Sequence, residues 1–446
     1  MAALVAVDLT FGVVSGFTSA LTGQTPTAEP PASGPAPMRQ LLARGVGPAP
    51  VETGLSFALT ITNGGRSILA GPWALRIPQV STPLKLSLEE ARLNSGSLEA
   101  VARIKNETGA FLGGLRLDFL EIAEGTLDSK HAPSYVSSEA KSRAIALASP
   151  LFFGDLQPGA DAAASFRLEP VALAPGSPYA VVRGVITGAV AVAGIEVPDS
   201  LDPVAIDSDG EGRIYVGDGA GQAIFRIGPD PKSVRRFDAG CPVTGIAVRR
   251  KSGEVYASCR DVPVLLRLSP GGRMSKTEPI GRALGPIRFG GKGFLYGAPA
   301  SIVRLDGLSI AEEIASVAQR PFHAAGFDVS TEGAIWAITS EPERRLLRIR
   351  SARDIVSLAG PGEGLGAIAT ARTCRVGPDR NVYVLEGPAG ARPPRVSVFD
   401  PAGGLARVWD LPLGEPADLA FARDGRLEIV WKRENAGSAV TVFRTF

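Results

Sequence analysis

Apolar residues fall in short runs along this chain, each broken after a few positions by Gly, Pro, Asn or Asp, and long helical periodicity is almost absent. Many short strands joined by turns are the expectation. Near the N-terminus Val5, Val7, Leu9, Phe11 and Val13 alternate with Ala6, Asp8, Thr10 and Gly12, the period-two pattern of a half-buried strand. Leu55, Phe57, Leu59 and Ile61 alternate up to the turn Asn63-Gly64-Gly65, and Leu115, Leu117 and Phe119 alternate further on. The stretch PLKLSLEEARLNSG, residues 83–96, is assigned the one short helix of this region.

From about residue 200 a second pattern takes over. A Gly is followed three positions later by an aromatic residue: Gly212 by Tyr215, Gly253 by Tyr256, Gly293 by Tyr296 and Gly333 by Trp336. Arg380 replaces the Gly before Tyr383, and Gly425 precedes Glu428 where the aromatic would stand. The marked positions are 41, 40, 40, 47 and 45 residues apart. Each unit carries an apolar strand, a polar turn, the aromatic strand, a third strand with an Arg (AIFRIG, VLLRLS, LLRIR) and in most units a fourth (SVRRFD, DIVSLAG, LARVWDLP). Four strands per repeat of roughly 40 residues is the plan of a β-propeller blade. The sixth unit ends at Phe446 on its third strand, so the apolar segment at 185–197, VITGAVAVAGIEV, is predicted to supply its fourth and close the ring.

These residues resemble NHL-type six-bladed propellers, and the fourth unit, PFHAAGFDVSTEGAIWAITSEPERRLLRI, resembles a blade of the streptogramin-lyase propellers. LFFGDLQPGADAAASFRLEP and FALTITNGG resemble strands of the immunoglobulin-like modules of secreted bacterial proteins. The predicted fold is therefore all-β: residues 1–37 a strand and a Pro-rich linker, 38–180 an immunoglobulin-like β-sandwich, and 181–446 a six-bladed propeller.

Composition changes this picture little. A chain of 446 residues is long enough for two or three domains. A net charge of +2 gives no electrostatic case for nucleic acid or an anionic membrane, and no apolar run is long enough to span a bilayer as a helix. The N-terminal segment lacks a basic n-region and carries Asp8, so it reads as a strand and not a signal peptide.

Candidate chemistry is sparse. Asp207, Asp209, Glu211, Gly212 and Asp218 fit the spacing of an EF-hand-like calcium loop, although the repeat already accounts for Asp209 and Gly212 as a hairpin turn. Cys241 and Cys259 flank a hairpin that brings them nearly opposite one another, either as a disulfide of an oxidising compartment or as two buried thiols, with Cys374 left over as a buried thiol. Only two His exist, His131 and His323. The resemblance to streptogramin lyases implies a channel general acid or base, for which His323 is the candidate; no second His matches that family's site. P-loop and C-x-x-C motifs are absent. Asn106-Glu107-Thr108 is a glycosylation sequon.

The function expected from sequence is a non-enzymatic extracellular, cell-surface or periplasmic structural or binding protein. A strand cut off by a linker must pair with something: either it folds back onto the next domain, or Val5 to Val13 complete a neighbour's sheet, which suggests homo-oligomers and a filament. The alternative is a propeller enzyme of lyase or lactonase type with a site near the channel.

Overall fold

The computed structural model describes residues 54–446 apart from short internal stretches, the longest being 126–140 and 169–178. The expected assembly strand at Val5, Val7, Leu9, Phe11 and Val13 and the linker lie outside the described residues, as does His131. The described residues form strands and turns with no α-helix. They fall into two compact units, one reaching Val190 and including Thr445–Phe446, the other Ala191–Arg444, so the boundary lies inside the strand Tyr179–Val197.

In the first unit, one antiparallel sheet has the order Trp73–Leu75, Leu84–Asn94, Ser97–Asn106, Asp161–Leu168. The other runs Ser67–Leu69, Leu55–Thr62, Tyr179–Val197, Leu112–Gly125, with Lys141–Ala144 and Leu151–Leu156 both paired to the last of these. The alternation read from sequence puts Leu55, Phe57, Leu59 and Ile61 inside. Phe57 lies 5.2 Å from Trp73, and Phe119 lies 4.9 Å from Phe166 between ring centroids, so aromatic side chains of the two sheets interlock.

The expected helix within 83–96 is instead the strand Leu84–Asn94, which pairs with Ser97–Asn106. Leu84, Leu86 and Leu88 are buried at period two, and that burial outweighs the helix propensity of EEAR. The conflict leaves a trace: the register shifts between Glu89 and Arg92, and Glu90 takes a φ of 53°. The sequon Asn106 is fully buried. Its amide donates to the carbonyls of Ala110 and Leu156 at 2.8 and 2.9 Å, and its Oδ1 accepts from Thr108, so the side chain is a structural tie.

The second unit is built from the repeat. Sheet I comprises Pro203–Ser208, Ile214–Asp218, Ala223–Ile227 and Val234–Asp238. Sheet II comprises Val243–Arg249, Glu254–Cys259, Leu265–Leu268 and Met274–Lys276, and sheet III Ile287–Phe289, Leu295–Gly297, Val303–Asp306 and Ser309–Glu313. Sheet IV comprises Ala324–Val329, Ile335–Thr339, Leu346–Ser351 and Asp354–Ala359, and sheet V Ala371–Val376, Val382–Glu386, Arg395–Phe399 and Leu405–Asp410. In sheet VI, Glu415–Phe421, Leu427–Lys432 and Ser438–Thr445 are followed by Tyr179–Val197, the strand from ahead of the repeats that the sequence predicted. The first strand of each sheet packs on that of the next, and the first strand of VI packs on that of I, the cyclic arrangement of a β-propeller. Ile195 and Val197 bury against Val440 and Val442 and, with them, against Ile206, Val216 and Phe225 of sheet I. Each such side chain contributes about 1.5–3 kcal/mol on burial.

Local chemistry explains the repeat. The Gly of each hairpin turn has a positive φ, from +70° at Gly253 to +91° at Gly333, which L side chains adopt at a cost. Arg380, the one departure, adopts +66° there. Asp209 accepts from the amides of Glu211 and Arg213 at 2.9 and 3.0 Å to shape the first turn, and its Oδ2 accepts the Tyr215 hydroxyl at 3.1 Å. Asp379 and Tyr383 repeat that last bond at 2.9 Å in sheet V. The third-strand Arg reaches across to the following sheet, Arg226 to the carbonyl of Pro270 and Arg348 to that of Pro401.

Candidate functional site

In a cyclic array of sheets, every first strand pairs on one side only, and its other edge leaves N–H and C=O groups without a ladder partner. This chain serves that edge with charged side chains. The position opposite the repeat's aromatic is Asp207 in sheet I, Ala247 in II, Arg288 in III, Asp328 in IV, Arg375 in V and Ala420 in VI. Asp418, two residues before Ala420, supplies the sixth sheet's charge.

The acids reach forward to the next sheet and the arginines backward to the one before. Asp207 Oδ2 accepts the amide of Val248 at 2.7 Å, Asp328 Oδ2 that of Val376 at 2.8 Å, and Asp418 Oδ2 that of Ile206 at 3.0 Å. Arg288 Nη1 donates to the carbonyl of Ile246 at 2.9 Å, and Arg375 Nη1 to that of Phe327 at 3.5 Å. The two arginines converge on Asp418: Arg288 Nη2 lies 2.9 Å from Oδ2, and Arg375 Nη2 2.6 Å from Oδ1. One carboxylate thus joins sheets I, III, V and VI.

Burial raises the carboxyl of Asp418, and Arg288 is the largest influence opposing it. Asp207 and Asp328 are partly exposed towards the axis, yet the protein around them is deep enough to raise both carboxyls. Asp328 is pushed to about 6 by burial, and the charge of Asp207 adds to the effect. Cys374 is buried beside them, its Sγ 3.4 Å from the carbonyl of Trp336, and burial pushes its thiol well up. A thiol held in this way is a poor nucleophile at neutral pH. A second buried cluster lies within sheet V: Glu386 accepts from Arg395 Nε at 2.7 Å, Arg392 Nη2 at 3.1 Å and Ser397 Oγ at 2.7 Å.

The residues singled out from sequence fare differently. Cys241 and Cys259 form a disulfide with a Cα–Cα distance of 5.8 Å. Cys374 is the buried free thiol. The calcium-loop carboxylates do not converge, because the β-hairpin spreads them over two strands and a turn. Asp207 faces the axis, Asp209 holds the turn and Glu211 pairs with Arg213 in solvent. Asp218, the last residue of the second strand, accepts from the amides of Asp202, Ala220 and Gly221. Among the described residues no three His, Cys, Asp or Glu side chains are grouped to hold a metal ion.

His323 is exposed just before the first strand of sheet IV, and its carbonyl accepts from Ser340 N and Oγ at 2.8 and 2.9 Å. The carbonyls of Asp202, Pro242, Pro286 and Thr370 do the same in other sheets, so this position serves the fold through its main chain whatever the side chain.

Glu428 stands where the other repeats have an aromatic. It is buried at 1 % exposure, one carboxyl oxygen has no partner, and burial pushes it up to about 8. Between pH ~4.5 and ~8 the folded chain keeps a proton that the unfolded chain releases, so stability drains away as pH rises through that window. Glu428→Gln, which has no proton to lose, is expected to melt higher than the parent. Its advantage should be near zero at pH 4.5 and grow to at least ~2–4 °C by pH 8, corresponding to about 1 kcal/mol. A difference that stays constant from pH 4.5 to 8 in calorimetry contradicts this account.

No family model matches the chain, and no curated protein does. Among solved structures it is similar to virginiamycin B lyase from Staphylococcus aureus, at 14 % identity over 57 % of this chain and 87 % of that one, with a TM-score of 0.39. A gluconolactonase from Xanthomonas campestris shares 15 % identity over 58 % and 90 %, TM-score 0.44. The PQQ-bound aldose sugar dehydrogenase of Streptomyces coelicolor shares 13 % over 58 % and 98 %, TM-score 0.45.

Proposed function

We propose that the repeats close as a six-bladed propeller behind an immunoglobulin-like sandwich, and that the chain is a binding or structural module working outside the cytoplasm. The observation that supports this most is the centre of the ring. Its charged side chains spend their hydrogen bonds on neighbouring sheets and on each other, which suits a rigid platform that presents its outer surfaces. The disulfide between Cys241 and Cys259 favours an oxidising compartment. Self-assembly into filaments through Val5 to Val13 belongs to the same proposal. Deleting residues 2–22 should convert oligomers to monomers in sedimentation; an unchanged profile removes this part of it.

A propeller enzyme of lyase or lactonase type is the second reading, and one feature favours it: Asp328 is partly exposed towards the axis with a carboxyl near 6, suited to proton exchange at neutral pH. The full chain, Asp328→Asn and His323→Ala should be compared on virginiamycin B and gluconolactone, with and without added divalent ions. Equal background rates in all three support the platform. Turnover by the parent that either substitution abolishes replaces it with the enzyme.

A further inference from the structure

A recess of about 200 Å³ opens between sheets II and III at their hairpin-turn ends, away from the charged centre, and its wall includes Arg249, Tyr256, Phe289, Lys292, Phe294 and Asp306. It exists because aromatic packing is incomplete there. At the junction of sheets V and VI, Tyr383 is walled in by Phe421 at 4.8 Å and Trp409 at 6.3 Å, and Phe443 stands behind Trp409. At the equivalent junction of II and III, Tyr256 meets one aromatic ring, Phe289, edge to face at 5.5 Å, with the Arg249 guanidinium over it, and space remains open beside them.

The polar groups around that space are of both signs and are held ready. The Arg249 guanidinium lies 5.5 Å from the Tyr256 ring centroid and 5.2 Å from that of Phe289, and its Nη1 is 3.5 Å from Glu254 Oε2, so two rings and one carboxylate hold it in place and leave its remaining N–H groups for a ligand. Lys292 and Asp306 are exposed at the rim and neither is in an ion pair among the described residues. The surroundings favour an anion: sheets II and III, residues 243–313, hold 11 Lys and Arg against six Asp and Glu, an excess of five in a chain whose net charge is only +2.

We propose that this recess binds a sugar acid, a uronate-like ring whose carboxylate meets Arg249 and Lys292, whose hydroxyls donate to Asp306 and whose apolar face lies on Phe289 and Phe294. Each part of the ligand answers one part of the wall. A planar guanidinium and a nearby ammonium select a carboxylate, an unpaired carboxylate at the rim accepts hydroxyls, and the half-buried rings of Phe289 and Phe294 offer their accessible parts to the C–H side of a ring, Phe294 with Arg304 4.9 Å from its centroid. The space is smaller than the usual pocket for a drug-sized molecule and admits one such ring. The site lies off the axis, so it stands or falls separately from any chemistry at Asp328.

The test is calorimetric titration of the full chain with D-galacturonate at low ionic strength, beside D-galactose and acetate. Galacturonate should bind in the low millimolar range, with galactose and acetate each about tenfold weaker or more. Lys292→Ala and Phe294→Ala should each weaken galacturonate about fivefold or more; the exposed Lys292→Ala should leave the melting temperature unchanged, whereas Phe294→Ala, whose ring also packs on the core of sheets III and IV, should melt lower while still folded at the titration temperature. Absence of galacturonate binding overturns the proposal. So does acetate binding as tightly as galacturonate, which would make the site a simple anion site, or affinity unchanged in both variants.

Discussion

Asp418→Ala is expected to destabilise the propeller unit by about 3–5 kcal/mol, the cost of leaving buried cations without their partner, and to lower its melting temperature by about 10 °C or more. Arg288 and Arg375 are each only 5 % exposed and both direct Nη2 at this carboxylate. The informative companion is the triple change Arg288→Met, Arg375→Met, Asp418→Leu. Replacing a buried ionic triad by apolar residues is often neutral or stabilising, because the desolvation penalty disappears with the charges. Here the same side chains also serve the Ile206 amide and the carbonyls of Ile246 and Phe327 at the inner edges. Orphaning buried groups of that kind costs about 1–3 kcal/mol each. The triple variant should therefore stay well below the parent in a chemical-denaturation series. Full recovery would show that charge pairing, and not service to the strand edges, is what Asp418 provides.

The second large effect is expected from the disulfide. Cys241 and Cys259 are 18 residues apart, and cross-linking a loop of that size restricts the unfolded chain by about 3 kcal/mol. Reduction, or the Cys241→Ser, Cys259→Ser double variant, should lower the melting temperature by about 6–12 °C. The reduced parent and the double variant should then melt together, and adding reductant to the variant should change nothing. A parent that melts at the same temperature with and without reductant contradicts the estimate.

Much of the fold was legible because the repeat is written in turn chemistry. A Gly with positive φ in a polar turn and an aromatic three residues beyond it recur closely enough to place the first hairpin of most sheets, and the Arg-bearing apolar runs that follow place many of the third strands. The closing role of 185–197 followed from counting strands in the last unit. What failed was a local preference. EEAR within Leu84–Asn94 favours a helix in isolation, and only the burial of Leu84, Leu86 and Leu88 against the neighbouring strand overrides it. The charged centre went unread for a different reason. Asp207, Arg288, Asp328 and Arg375 each stand eight residues before the aromatic of their repeat, so the signal was there. It looked like scattered charge because the acids and bases alternate in kind, the second unit has Val248 at that spacing and Asp418 is displaced by two positions. His323 stands out in sequence by its place before the first strand of the fourth unit and by the resemblance to streptogramin lyases; in the structure its carbonyl accepts from Ser340, a bond that any residue there could accept.

The strand Tyr179–Val197 bears on how the protein is made. Its second half finds its partner, Ser438–Thr445, only after some 240 further residues have been synthesised. On the ribosome, sheets I to V can each form as they emerge, being hairpins of near neighbours, but the circle stays unsealed until that late strand arrives. Ile195 and Val197 then have only sheet I to pack against for most of translation, and a nascent chain stalled before Val440 would leave their other side, and the open strand edge, to chaperones or to other nascent copies.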